Sequence, residues 1–377
     1  MKANFRKYFV FMILALAALL LLSACQPAEA EYTCVDRTAD AEPPPFDLPK
    51  LVAEGQNPDE VQVEPGKSLE PLCPEGQVPV AKLIKPGLPK GNPLLQVGTL
   101  QIEPGQSLDE FIESNLRPIE EVYWKRGGEG EKPPVLPPDP DGKCDGITNS
   151  GACYYYASAS FHSEADGGGM TMSVERPAYV NTGGSGHTLC ELSVQGGTGN
   201  GNIIEIGWNV SSDQYSNANP HIFVFHWISW SPTCYDACNW QQYSSTYHPG
   251  QDINSLVGRD VYIGYVFYQG NWWAWFDNQW MGYYPGSEWK DEYKRSSLIQ
   301  WFGEVATRNG IPPKTDMGNG RFPTDENAAR IMTLCDVNAS DWVCWYRDQQ
   351  SLGATAPKYY DILRTGFGAA RYGGPGE

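Results

Sequence analysis

Apolar and polar positions alternate in short runs along the second half of the chain, a period of two that marks half-buried β-strands. The pattern predicts strands at 154–162, 170–176, 188–195, 203–210, 221–229, 261–268, 271–277, 279–283, 299–307 and 359–365. Glycine-rich turns separate them: Gly167-Gly168-Gly169, Gly183-Gly184-Ser185-Gly186 and the 196–201 run. Two stretches read as helical, 287–297 with Ser287 as N-cap, and 325–334. Many short strands with little helix predict an all-β antiparallel sandwich, jelly-roll-like, built from two packed sheets. Residues 144–377 supply enough chain for such a core.

Within that pattern two strands carry a lone carboxylate in an apolar run: Glu205 in 203–208 and Glu304 in 301–305. Alternation puts Glu205 and Gly207 on one face and Ile204, Ile206 and Trp208 on the other. Gly207, having no side chain, is expected to leave room beside Glu205 for something to approach. Most strand carboxylates are simply solvated, but two of this kind also suit an acid/base pair.

Composition separates the first third from the rest. Residues 25–143 hold 20 of the 30 Pro and an excess of acids, so they read as a pro-segment, linker or stalk. Within it, 77–84 looks like a short strand. Twelve of the 13 Trp lie between Trp208 and Trp345, where the core is expected. The formal charge of −18 argues against nucleic acid as a partner.

Residues 1–24 form a targeting segment: a basic start (Lys2, Arg6, Lys7), an apolar run, then Ser23-Ala24-Cys25. Leu22-Ser23-Ala24-Cys25 resembles the bacterial lipobox. That resemblance implies an exported, cell-envelope lipoprotein held to a membrane through acyl chains on Cys25. Export makes disulfides the default for the other cysteines. Plausible bridges are Cys234 with Cys238, Cys144 with Cys153, Cys335 with Cys344, and Cys34 with Cys73, leaving Cys190 a buried thiol.

Six motifs then occur in order: Ile204-Glu205-Ile206-Gly207-Trp208, Thr233-Cys234-Tyr235-Asp236-Ala237-Cys238, Gly270-Asn271-Trp272-Trp273, Met281-Gly282-Tyr283-Tyr284-Pro285, Trp301-Phe302-Gly303-Glu304-Val305 and Thr315 to Pro323. The series resembles the neprosin family of glutamic-class prolyl endopeptidases over roughly residues 150–370. The resemblance implies a β-sandwich that cuts peptides after proline at acidic pH with Glu205 and Glu304, with no metal and no cofactor. It further implies an N-terminal segment acting as intramolecular inhibitor. Phe302 stands where the family usually has Gly, and Tyr284 replaces the usual Trp.

The expected chemistry is a shared proton between two facing carboxyls. One takes a proton from water while the other hydrogen-bonds the scissile carbonyl. Trp208, Trp272 and Tyr283 are candidate linings of a proline pocket. Two other readings use the same residues: a β-sandwich glycoside hydrolase with two Glu, and a non-catalytic surface module holding sugar or peptide on exposed aromatics.

Overall fold

The computed structural model describes segments between residues 32 and 81 and most of residues 144–376. Two sheets pack face to face. In the first, of eight strands, the order is Ser231–Pro232, His221–Ile228, Asn202–Val210, Gly186–Gly196, Ser296–Thr307, Ala152–His162 and Ser351–Ala354, with Ile147–Asn149 also paired to Ala152–His162. In the second, of ten strands, a meander of Gln279–Pro285, Asn271–Phe276 and Asp260–Tyr268 continues into Gly167–Ser173 and Ala329–Asn338.

Alternation decides which residues meet between the sheets. Leu192, Val194, Ile204, Ile206, Trp208, Ile299, Trp301 and Val305 point inward from the first sheet. Met170, Met172, Val261, Ile263, Trp272, Phe276 and Ile331 meet them from the second. Each such side chain contributes about 1.5–3 kcal/mol on burial, and together they fix strand register, because a one-residue slip would carry the whole set outward.

Both expected helices are absent. Residues 287–297 were expected to form one, opened by Ser287 as N-cap. Instead one 3-10 turn, Gly286–Trp289, ends at Lys290 and Asp291, whose φ values of 54° and 59° are left-handed. Trp289 and Tyr293 instead plug the core, donating hydrogen bonds to the carbonyls of Trp227 (2.8 Å) and Val194 (2.7 Å). Residues 329–338 are a strand with a bulge between Met332 and Cys335. The bulge switches Ala329 and Ile331, which face the core, to Cys335 and Val337, which face outward.

The N-terminal third contributes more than a tether. Tyr32–Asp36 pairs with Gln77–Ala81, where a strand was expected, and Cys34–Cys73 closes this pair. Lys50–Ala53 joins the edge of the ten-stranded sheet, parallel to Val343–Tyr346. The other three expected bridges form as well, and Cys190 is a buried free thiol. Among the described residues no helix is long and apolar enough to cross a membrane. Cys25 and the targeting segment lie outside the described residues.

Candidate active site

Glu205 lies on Asn202–Val210 and Glu304 on Ser296–Thr307, with the central strand Gly186–Gly196 between them. Residues directly opposed across an antiparallel pair share a face. Glu205 opposes Ser193 and Glu304 opposes Leu189, both at odd positions of the central strand. The two motif glutamates therefore project from one face of one sheet, the face turned away from the inter-sheet core. Both are fully buried.

They are not neighbours. Glu191 lies midway on the central strand, opposing Gly207 on one side and Phe302 on the other. It is one diagonal step from each motif glutamate, roughly 7–8 Å per step between backbones. The centre is a diagonal row of three carboxylates, Glu205, Glu191 and Glu304, in place of the expected facing pair. Glu191 is also fully buried.

The Glu304 end is hydrogen-bonded. His187 Nε2 lies 2.6 Å from Glu304 Oε1, with both side chains buried. The Tyr156 hydroxyl, directly across from Glu304 on the neighbouring strand, donates to the same carboxylate. Burial first, and Glu304 second, push that phenol well above its usual range, so it stays a donor. At the other end Glu205 is opposed by Ser193 and Phe225, and Ile203, Phe223 and Trp227 share its face.

Over this face lies the loop closed by the Cys234–Cys238 disulfide. Tyr235 packs its ring on Phe225 (4.9 Å between centroids) and Phe223 (6.1 Å). Burial, then Glu304, Tyr154, Glu191 and Glu205, raise its phenol well above the usual value, so the hydroxyl keeps its proton.

The predicted aromatic linings lie elsewhere. Trp208 is in the inter-sheet core, its indole N–H donating to Ser173 O at 3.0 Å. Trp272 is there too, donating to Tyr293 O at 2.9 Å. Tyr283 packs 4.6 Å from Trp273 on the far face of the ten-stranded sheet. The alternation that turns Glu205 outward turns Trp208 inward, so that pairing was excluded by the strand itself. What approaches at Gly207 is the central strand: a Cβ there would sit 1.9 Å from Cys190 O. Glu191 carried the same signal as Glu205, a lone carboxylate in an apolar run. His187 and Tyr235 become visible only once the sheet is assembled. Among the described residues no group of three or more His, Cys, Asp or Glu is arranged to hold a metal ion.

The family profile described as Neprosin matches residues 185–375, which span all three carboxylates. No curated protein matches the chain. Solved structures similar to it include a scytalidoglutamic peptidase with a peptide-based transition-state analogue, at 10% identity over 59% of this chain and 99% of that one, TM-score 0.36. Another is SCP-B, an eqolisin-family peptidase with the tripeptide Ala-Ile-His, at 10% identity, 59% and 99% coverage and TM-score 0.33. A third is the catalytic domain of a Thermotoga petrophila laminarinase, at 10% identity, 44% and 69% coverage and TM-score 0.26. At such scores neither residue roles nor substrates transfer.

Proposed function

The chain belongs to the neprosin family, and on that premise we propose that it is a glutamic-type endopeptidase whose acid/base groups are Glu304 and Glu205. One observation carries this reading. The two motif glutamates, distant in sequence, emerge on a single face of one sheet with no core between them.

Glu304 is the group built to hold negative charge, since Tyr156 donates to it and His187 is paired with it. It takes a proton from the water that attacks the scissile carbonyl carbon. Glu205, against Phe225, is the proton-bearing partner. It donates to the carbonyl oxygen and then supplies the proton to the leaving nitrogen. Three carboxyls on neighbouring sites of a buried face cannot all ionise cheaply, so the centre retains a proton and works on the acid side.

Cleavage after proline belongs to the same reading. The flat apolar surfaces available to a proline ring are Phe225, Trp227 and Phe302, on the carboxylate face. The chain acts as an exported lipoprotein anchored through Cys25, and its N-terminal segment serves as the inhibitor. Digestion of a proline-containing peptide library across the acid range tests the reading, using wild type, Glu205→Gln and Glu304→Gln. Cleavage after proline by wild type alone is the expected result. Undiminished cleavage by either variant would sink it.

A further inference from the structure

The loop from Thr233 to Cys238 is held more firmly than a surface turn requires. Cys234 and Cys238 are bridged. Thr233 donates its N–H (3.2 Å) and its hydroxyl (2.7 Å) to His226 O. Asp236 N–H donates to Val224 O at 3.0 Å. The Asp236 carboxyl in turn accepts from Val224 N–H (3.1 Å) and the Tyr215 hydroxyl (3.0 Å). Asp236 also adopts φ of 66°, a left-handed conformation kept only where surroundings enforce it.

What this scaffold presents is the Tyr235 ring, seated on Phe223 and Phe225. Its hydroxyl is buried and has no hydrogen-bond partner among the described residues. A second orphan donor lies on the same face: the indole N–H of Trp227, a residue only 3% exposed and 5.7 Å from Phe225. Buried donors left unmatched cost stability, so their retention in a rigid frame points to an acceptor that arrives with a ligand.

We propose that Tyr235 is a further catalytic residue, its hydroxyl donating to the scissile carbonyl oxygen of a bound peptide as that oxygen gains charge. Trp227 Nε1 donates to a backbone carbonyl of a flanking substrate residue. Asp236 is a positioning residue that acts through Tyr235. A preorganised donor aimed at a developing oxyanion speeds the chemical step and leaves ground-state binding little changed. This inference rests on the peptidase reading, and its test separates the two.

Full-length wild type, Tyr235→Phe, Trp227→Phe, Asp236→Asn and Glu304→Gln are assayed on an internally quenched proline-containing peptide, with melting curves for each. Removing Tyr235's hydroxyl is expected to lower kcat by about 10²–10³-fold with KM little moved. It should weaken, by a similar factor, the binding of a peptide carrying a tetrahedral hydroxyl isostere. Trp227→Phe raises KM and spares kcat. Asp236→Asn lowers kcat in the same direction as Tyr235→Phe. Wild-type kcat in a folded Tyr235→Phe, beside an inactive Glu304→Gln, overturns this inference alone. Full activity in Glu304→Gln, or no cleavage by wild type, overturns the peptidase reading and the inference with it.

Discussion

The outward faces of the two sheets are both aromatic and both buried, and they differ in what lies among the rings. On the ten-stranded sheet, Trp273, Trp275, Trp280, Tyr283 and Trp342 pack ring on ring, with Trp275 and Trp280 centroids at 5.0 Å. Leu51 of the N-terminal segment packs against this cluster. On the eight-stranded sheet, Phe225, Trp227 and Phe302 share their face with Glu205, Glu191, Glu304 and His187. Tryptophan density marks where this protein is covered; carboxylates within an aromatic face mark where it can react. The largest expected effect follows from that contrast. Glu304→Gln and Glu205→Gln each lower kcat/KM by roughly 10²–10⁴, the usual contribution of a positioned acid or base. Trp273→Phe and Trp280→Phe, on the other face, lower the melting temperature and leave kcat/KM unchanged. Equal losses on both faces would erase the distinction.

The next effect is on stability and has a sign. Burial pushes the Asp236 carboxyl up to about 8, against the hydrogen bonds from Val224 and Tyr215 that pull the other way. An unfolded Asp titrates near 4. The native state therefore keeps a proton that the unfolded chain gives up. The stability this contributes is complete below about pH 4 and is lost as pH rises through about 8. At about 1.4 kcal/mol per unit the span amounts to several kcal/mol. His226 and His248 act oppositely: burial lowers both to about 4 from the usual 6.5, so their contribution is present above 6.5 and lost as pH falls through about 4. Chemical denaturation between pH 4 and 8 reads the difference, with Asp236→Asn giving the shallower decline. Parallel profiles for wild type and variant would show that Asp236 is not the titrating latch.

Much of this was legible in the alternation of the chain. Each of the ten strands that period two predicted forms, and the alternation turned Glu205 and Trp208 to opposite faces, while Ala329–Asn338 and shorter pieces such as Val343–Tyr346 and Ala369–Gly373 were not marked. The helices expected at 287–297 and 325–334 did not form. At the first, the left-handed Lys290 and Asp291 end the helix; at the second, a bulge defeats the periodic reading. Pairing order was not legible, since no local feature says that the central strand runs between the two glutamate strands. For that reason Glu191, His187 and Tyr156 could be assigned a place beside Glu304 or Glu205 only from the assembled sheet.

A smaller and more local effect is expected at Phe302. It lies between Ser158 and Glu191 across the sheet and packs edge-on to Tyr156 at 5.7 Å. Phe302→Ala removes about 3–5 kcal/mol of packing. In the peptide-library assay it broadens the residues accepted next to the cleaved bond, because the ring occupies the carboxylate face. A variant with unchanged preferences would move Phe302 from the cleft to the framework.

The finest test uses two consecutive residues. Cys190 and Glu191 share one strand, and alternation sends the thiol into the inter-sheet core and the carboxylate to the reactive face. Cys190 lies opposite Gly303 and Trp208, beside Tyr372, and burial pushes its thiol up to about 12. A thiol so protonated and enclosed does not react, because the thiolate is the nucleophile. Cys190→Ala is therefore expected to cost about 1 kcal/mol of stability and to leave kcat and its pH profile as they were. Glu191→Gln changes both, since it alters the proton count between Glu205 and Glu304. Alkylation of the native chain should leave Cys190 unlabelled until denaturant is added. Labelling in the folded state, or a kcat loss in Cys190→Ala matching that of Glu191→Gln, would mean that the strand does not divide chemistry from packing.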